Sequence, residues 1–133
     1  MEETFKEFWE RKKKDQKRTI KTKDIGRDAT VHYEVQSTTK MQQANNPEKY
    51  FVIERIKREK AKGELAHPAY VKKEGVEYRI GYYIVGKNGR MEGKWTWGQF
   101  TPMIPVEDFW NLINKAIQED TILETDELEI ELK

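Results

Sequence analysis

The residues best placed to do chemistry are basic. Arg11-Lys12-Lys13-Lys14-Asp15-Gln16-Lys17-Arg18 puts six cations into eight positions. Such a run can track a phosphate backbone, because each Lys or Arg that neutralises a phosphate releases a condensed counterion. The same run can be a solvated helix face that keeps the chain in solution. A third arrangement lays it against the acidic C-terminal end, in the same molecule or in a neighbour. A second cluster, Arg79, Tyr83 and Lys94, combines cations with an aromatic ring, the composition of a nucleic-acid contact surface. Its plain alternative is cross-strand charge pairing of Arg79 and Lys94 with Glu77 and Glu92. The candidate nucleic-acid contacts are therefore Arg11, Lys12, Lys13, Lys14, Lys17, Arg18, Arg79, Tyr83 and Lys94.

Catalytic patterns are weak. Glu92-Gly93-Lys94 fits the Glu-x-Lys half of a metal-dependent nuclease, since residues two apart on a strand share a face and can reach one metal and one water. Glu10-Arg11-Lys12 fits as well, and no Asp occurs between Asp28 and Asp108 to supply the usual upstream ligand. Gly86-Lys87-Asn88-Gly89 lacks the Ser or Thr that follows Gly-Lys in a phosphate-binding loop. The chain has no Cys, two His (His32 and His67) and one Ser, Ser37. That excludes disulfides, thiol catalysis and thiolate zinc sites, and leaves a serine nucleophile without a base that can be placed. No catalytic residue, metal ligand or cofactor is assigned, and the reading leans away from an enzyme.

The 133 residues make one domain's worth of chain, long enough to bury a core without a staple. Charged residues are 37%, against about 25% in an average domain. The core must therefore rely on the 4 Trp, 6 Tyr and 5 Phe. Net charge is +1, but residues 1–27 carry +4 and residues 120–133 carry −5. No apolar run approaches the roughly 20 residues of a membrane span. The acidic, then amphipathic N-terminus is unlike a secretory signal. A cytoplasmic protein with no membrane partner is expected.

The elements that would position these residues follow from periodicity. Residues 2–16 read as a helix with Phe5, Phe8 and Trp9 on one face, docked on the body. Ile20 to Ile25 reads as a short strand. Residues 29–36 alternate as a half-buried strand, with His32 on its polar side. Residues 37–46 read as a loop. Asn46-Pro47-Glu48 has the form of a helix start, giving a helix over 47–62, although Tyr50-Phe51-Val52-Ile53 has strand composition. Asn88-Gly89 is the strongest short hairpin signal, and joins strands 76–86 and 90–101. A two-residue loop sets Tyr82 opposite Trp95 and Ile80 opposite Trp97, collecting Val76, Tyr78, Ile80, Tyr82, Ile84, Trp95 and Trp97 on one face. That face is either core or a stacking platform. Pro105 begins a helix over 105–119 with an apolar stripe of Val106, Phe109, Trp110, Ile113, Ala116 and Ile117. Residues 126–132 alternate Leu128, Ile130 and Leu132 with glutamates, as an acidic strand or a tail.

The expected fold is one α+β domain spanning 1–133: a mainly antiparallel sheet around the 76–86/90–101 hairpin, with three helices (2–16, 47–62 and 105–119) packed on it. Residues 1–18 form a basic amphipathic helix at its periphery, and 120–133 an acidic strand or tail. The favoured functional reading is a non-enzymatic nucleic-acid-binding or nucleic-acid-associated accessory protein. The alternative is a protein-interaction or regulatory module, including a homodimer, whose contact is the aromatic helix 2–16 or the acidic C-terminal strand.

Overall fold

A computed structural model describes residues 3–13, 19–23, 30–62 and 75–126. Five strands form one antiparallel sheet in chain order: β1 (Thr19–Lys23), β2 (Thr30–Gln43), β3 (Asn46–Lys62), β4 (Val76–Val85) and β5 (Trp95–Trp97). Helix α1 (Phe5–Lys13) covers one face and helix α2 (Val106–Gln118) the other. The α+β class stands. Two α-helices are present among the described residues, not three. None of them is long and apolar enough to cross a membrane.

The expected helix 47–62 is strand β3, the centre of the sheet. Its alternation is Tyr50, Val52, Glu54 and Ile56 towards α1, and Phe51, Ile53 and Arg55 towards α2. Phe51, Val52, Ile53 and Glu54 are all at most 1% exposed. A strand covered on both faces reads as a continuous apolar run, which periodicity alone cannot separate from a helix. The capping signal was real chemistry in a different setting. Asn46 Oδ1 accepts a hydrogen bond from Glu48 N at 3.0 Å. That local bond is common to an N-cap and to an Asx turn. Here Gln42 pairs with Tyr50 and Gln43 with Asn46, so Pro47 sits in a bulge where its missing N–H is tolerated. Ala44–Asn45 form a tight two-residue hairpin loop between β2 and β3. The expected loop 37–46 is mostly strand: β2 runs on to Gln43 and pairs with β3 along its length.

The β4–β5 hairpin also departs from expectation. Tyr83 pairs with Trp97, Ile84 with Thr96 and Val85 with Trp95. The connection is longer than two residues and holds a 3₁₀ turn at Gly89–Met91, with Asn88 extended at φ −157°. Gly89 (φ 67°) and Gly93 (φ 74°) supply its left-handed positions. The register moves by an odd number relative to the two-residue loop, which turns the indoles to the opposite face. Trp95 and Trp97 therefore join Tyr83 and Val85 under α1, while Tyr82 and Ile84 lie under α2.

α1 starts in a capping box. Glu7 N donates to Thr4 Oγ1 at 3.1 Å, and Thr4 N donates to Glu7 Oε1 at 3.0 Å. Thr4 N, and then the Thr4 hydroxyl, donate to Glu7 Oε1 and hold its carboxyl below the ordinary pKa. The helix docks on the body as its aromatic stripe predicts. Phe5 stacks on Tyr50 at 3.9 Å between centroids and meets Trp95 edge-on at 5.1 Å. Trp95 Nε1 donates to Glu3 O at 2.9 Å. The Trp95 half of the aromatic face is thus core. α2 begins at Val106, with Pro105 at its N-cap (ψ 144°) rather than at its first helical position, and ends in a Schellman cap: Thr121 N donates to Ala116 O at 2.9 Å, with Asp120 at φ 59°. Its buried line is Asp108, Leu112 and Ala116, displaced from the expected stripe.

Candidate functional site

The expected contact residues do not assemble as one surface. On α1, Arg11 pairs with Glu3 at 3.1 Å and Lys13 with Glu10 at 3.4 Å, both exposed. Lys12 lies 5.8 Å from the Phe8 and Tyr83 ring centroids. Lys14, Lys17 and Arg18 fall outside the described residues, as do the acidic segment 127–132 and His67. In the hairpin, Tyr83 is 3% exposed and packs in the α1 core, which removes it from any contact surface. Arg79 reaches the buried Glu54 at 2.6 Å and lies 4.4 Å over the Trp97 ring. Glu92 and Lys94 stand exposed in the connection, not on a strand, so the Glu-x-Lys geometry that a strand would give is not formed. Among the described residues no group of three or more His, Cys, Asp or Glu could hold a metal ion.

What the fold does bring together is a cleft of about 300 Å³ between α1 and the edge of the sheet. Lys6, Trp9, Glu10 and Lys13 enter it from one flank of α1, at the i, i+3, i+4, i+7 spacing of a helix. Lys40 comes from β2, Tyr50 from β3 and Lys115 from α2. Four lysines and one glutamate therefore surround an aromatic wall of Phe5, Trp9 and Tyr50.

Two features of the sheet make this convergence possible. β1 pairs with β2 only from Thr30 to Glu34, so among the described residues the far half of β2 has an open edge. Lys115 reaches that edge from α2 and donates its ammonium to the Lys40 carbonyl. Lys40 in turn points to the α1 side, with its Nζ 4.6 Å over the Trp9 ring. Burial is the first cause, and repulsion from Lys115 the second, that lowers the Lys40 pKa from the usual lysine value. Glu119 and Glu10 oppose the shift, and Lys13 adds to it. The remaining ion pairs around the cleft, Lys13–Glu10 and Lys115–Glu119 at 3.7 Å, are exposed. Pairs of that kind contribute about 0–1 kcal/mol and exchange readily for another anion.

Among the described residues, Lys13 is the one expected contact that lines this cleft. Lys40 was hidden in a run read as loop, and Lys115 on the polar side of α2. The one legible signal was the spacing of Lys6, Trp9 and Lys13 along α1.

A separate network fastens the chain after α2. Arg55 donates to both Asp126 oxygens at 2.7 Å, Tyr78 donates its hydroxyl to the same carboxylate, and Leu123 N donates to the Tyr78 oxygen at 3.1 Å. Asp126 holds the Arg55 pKa up, and burial, followed by the Asp126 bond, raises that of Tyr78. Every group there has a protein partner, and its role is structural.

No protein-family model matches the chain, and no curated protein or solved structure is similar to it at a significant level.

Proposed function

We propose that the protein is a non-enzymatic nucleic-acid-binding protein that grips the phosphate backbone at the α1–β2–α2 cleft. The observation that carries this reading is the convergence of Lys6, Lys13, Lys40 and Lys115 from three elements on one aromatic-walled cleft. Lys40 differs from an ordinary surface lysine. It is half-buried beside another cation, which disfavours its charged form until an anion arrives. A phosphate entering the cleft relieves that repulsion, so the site gains more from an anion than four dispersed surface lysines would. The net charge of the whole chain is only +1, so the attraction is local to this face.

Lys40 already covers the Trp9 ring. A base would have to displace it before stacking, so contact is led by phosphate and carries little base preference. If each of the four lysines neutralises one phosphate, log K falls with log salt at a slope of roughly −3 on single strands and roughly −4 on duplex.

The test is a titration of intrinsic Trp fluorescence with short single- and double-stranded DNA and RNA at several salt concentrations. Salt-sensitive binding that disappears when Lys6, Lys13, Lys40 and Lys115 are all changed to Gln supports the reading. Absence of binding at low salt, or binding with an undiminished slope in that variant, overturns it.

A further inference from the structure

The two helices present opposite kinds of surface. On α1 every exposed position is charged: Lys6, Glu7, Glu10, Arg11 and Lys13. On α2 the exposed positions hold Val106, Trp110 and Ile117, the uncharged Asn111, Asn114 and Gln118, and a single charge, Glu107. In a chain that is 37% charged, this is a local withdrawal of charge. Depletion of charge with aromatic enrichment is the compositional mark of an interface core.

The exposure is large and continues into the preceding segment. Phe100 is 79% exposed, Met103 80%, Val106 73%, Trp110 59% and Ile117 51%. With large side chains of about 150–250 Å² each, these five leave on the order of 600 Å² of apolar surface in water. The three on α2, Val106, Trp110 and Ile117, leave roughly 350 Å² of it on one helix face, within the ~300–600 Å² found for the largest patch on a monomer.

The spacing specifies the occupant. Val106, Trp110, Ile113 and Ile117 follow a 4-3-4 interval, the a/d seam of a two-helix pairing. Ile113 is half-buried and leans against the α2 core, so the seam is rooted in the domain. Such a seam is self-complementary. Two copies related by a twofold axis across α2 bring Val106 opposite Ile117 and Trp110 opposite Ile113, with opposed helix dipoles. We propose that the protein forms a homodimer through the outer face of α2, flanked by Phe100 and Met103. Lys115 lies on the far flank of α2, so the dimer leaves the lysine cleft open. The inference is independent of nucleic-acid binding.

Sedimentation equilibrium of the full chain over a concentration series tests it. The expected result is a two-chain mass at micromolar concentration that dissociates on dilution. Trp110→Glu should weaken association roughly tenfold or more while circular dichroism and thermal unfolding of the chain persist. Should Trp110→Glu fail to fold, Ile117→Lys at the end of the seam serves in its place. The chain has no cysteine, so Asn114→Cys, on the flank of the seam beside Trp110 and Ile117, should join two copies through a short bis-maleimide, whereas Asn45→Cys in the β2–β3 turn should not. A single-chain mass at the highest concentration overturns the proposal, as does a dimer that Trp110→Glu and Ile117→Lys leave unchanged. Association only with a different protein also overturns it.

Discussion

The Glu54 carboxylate is fully buried at the centre of the sheet, and Arg79 on the neighbouring strand meets it at 2.6 Å. Arg79 is also the cation that lies over Trp97. One side chain therefore neutralises a buried charge on β3 and roofs an indole on β5, joining three strands on the α1 face. Taking a carboxylate out of water is expensive, and the attraction offsets this only while the partner remains.

Removing one member is accordingly worse than removing both. Arg79→Met should destabilise the fold by about 3–5 kcal/mol, because it takes the guanidinium away from a fully buried carboxylate. The double variant Glu54→Leu/Arg79→Met should recover most of that loss. Urea denaturation of the wild type and both variants measures it. Single and double losses that simply add would show that the two groups do not act as a pair.

Glycines under aromatic rings fix the β4–β5 register. A Cβ on Gly81 would lie 2.3 Å from the Trp97 ring, and one on Gly98 would lie 2.1 Å from the Tyr82 ring. The Trp97 contact is on the α1 face and the Tyr82 contact on the α2 face, so each pair pins the same hairpin from opposite sides. Gly81→Ala should cost about 1–3 kcal/mol through overpacking. It should also change the near-ultraviolet circular dichroism, since Trp97 must move. A variant as stable as wild type with an unchanged spectrum would refute this packing.

Trp95 offers the complementary test. It is 3% exposed and touches Phe5 and Tyr50 edge-on. Trp95→Ala should lose about 3–5 kcal/mol in a cooperative unfolding transition. A fold that survives intact but loses nucleic-acid binding would instead make Trp95 a contact residue.

The cap of α2 leaves room for improvement. Asp120 adopts φ 59°, a conformation that favours glycine. Asp120→Gly keeps the Thr121-to-Ala116 bond and relieves the Cβ clash, so a gain of roughly 0.5–1 kcal/mol is expected. It should appear as a rise in Tm. A fall would mean that the Asp120 side chain makes a contribution the cap geometry does not account for.

The sequence was most informative where one local rule acted alone. Pro105 and the stripe after it placed α2, and the aromatic spacing of Phe5, Phe8 and Trp9 placed α1 on the body. It misled where two rules share a signature. Asn46 makes the side-chain bond of a helix cap, yet the chain stays extended because β2 and β4 flank β3 and both its faces are buried. Asn88-Gly89 promised a two-residue turn, but the longer connection around Gly86, Gly89 and Gly93 reset the register and exchanged the faces of Tyr82 and Tyr83. The lysine cleft was hidden for another reason. Lys13, Lys40 and Lys115 are far apart in the chain, and only the open edge of β2 brings them together.

Lys40 makes both stability and binding at the cleft depend on pH. Its folded pKa lies below the unfolded lysine value because of burial and Lys115. The folded state therefore holds fewer protons than the unfolded state between those two values. Below the folded pKa the penalty on the native state is present in full, and it is relieved as pH rises towards 10.5. A bound phosphate shifts the group the other way, favouring the ammonium, so binding takes up a proton and weakens as pH rises through the lowered pKa. Lys40→Met removes both the penalty and a cation–π contact of about 0.5–1 kcal/mol. These changes oppose one another, so stability should stay within about 1 kcal/mol of wild type after solvent screening. Affinity for a short oligonucleotide should drop, its salt slope should fall by roughly one, and its alkaline weakening should begin at higher pH. Wild-type affinity and an unaltered pH profile in Lys40→Met would remove Lys40, and the cleft around it, from the binding surface.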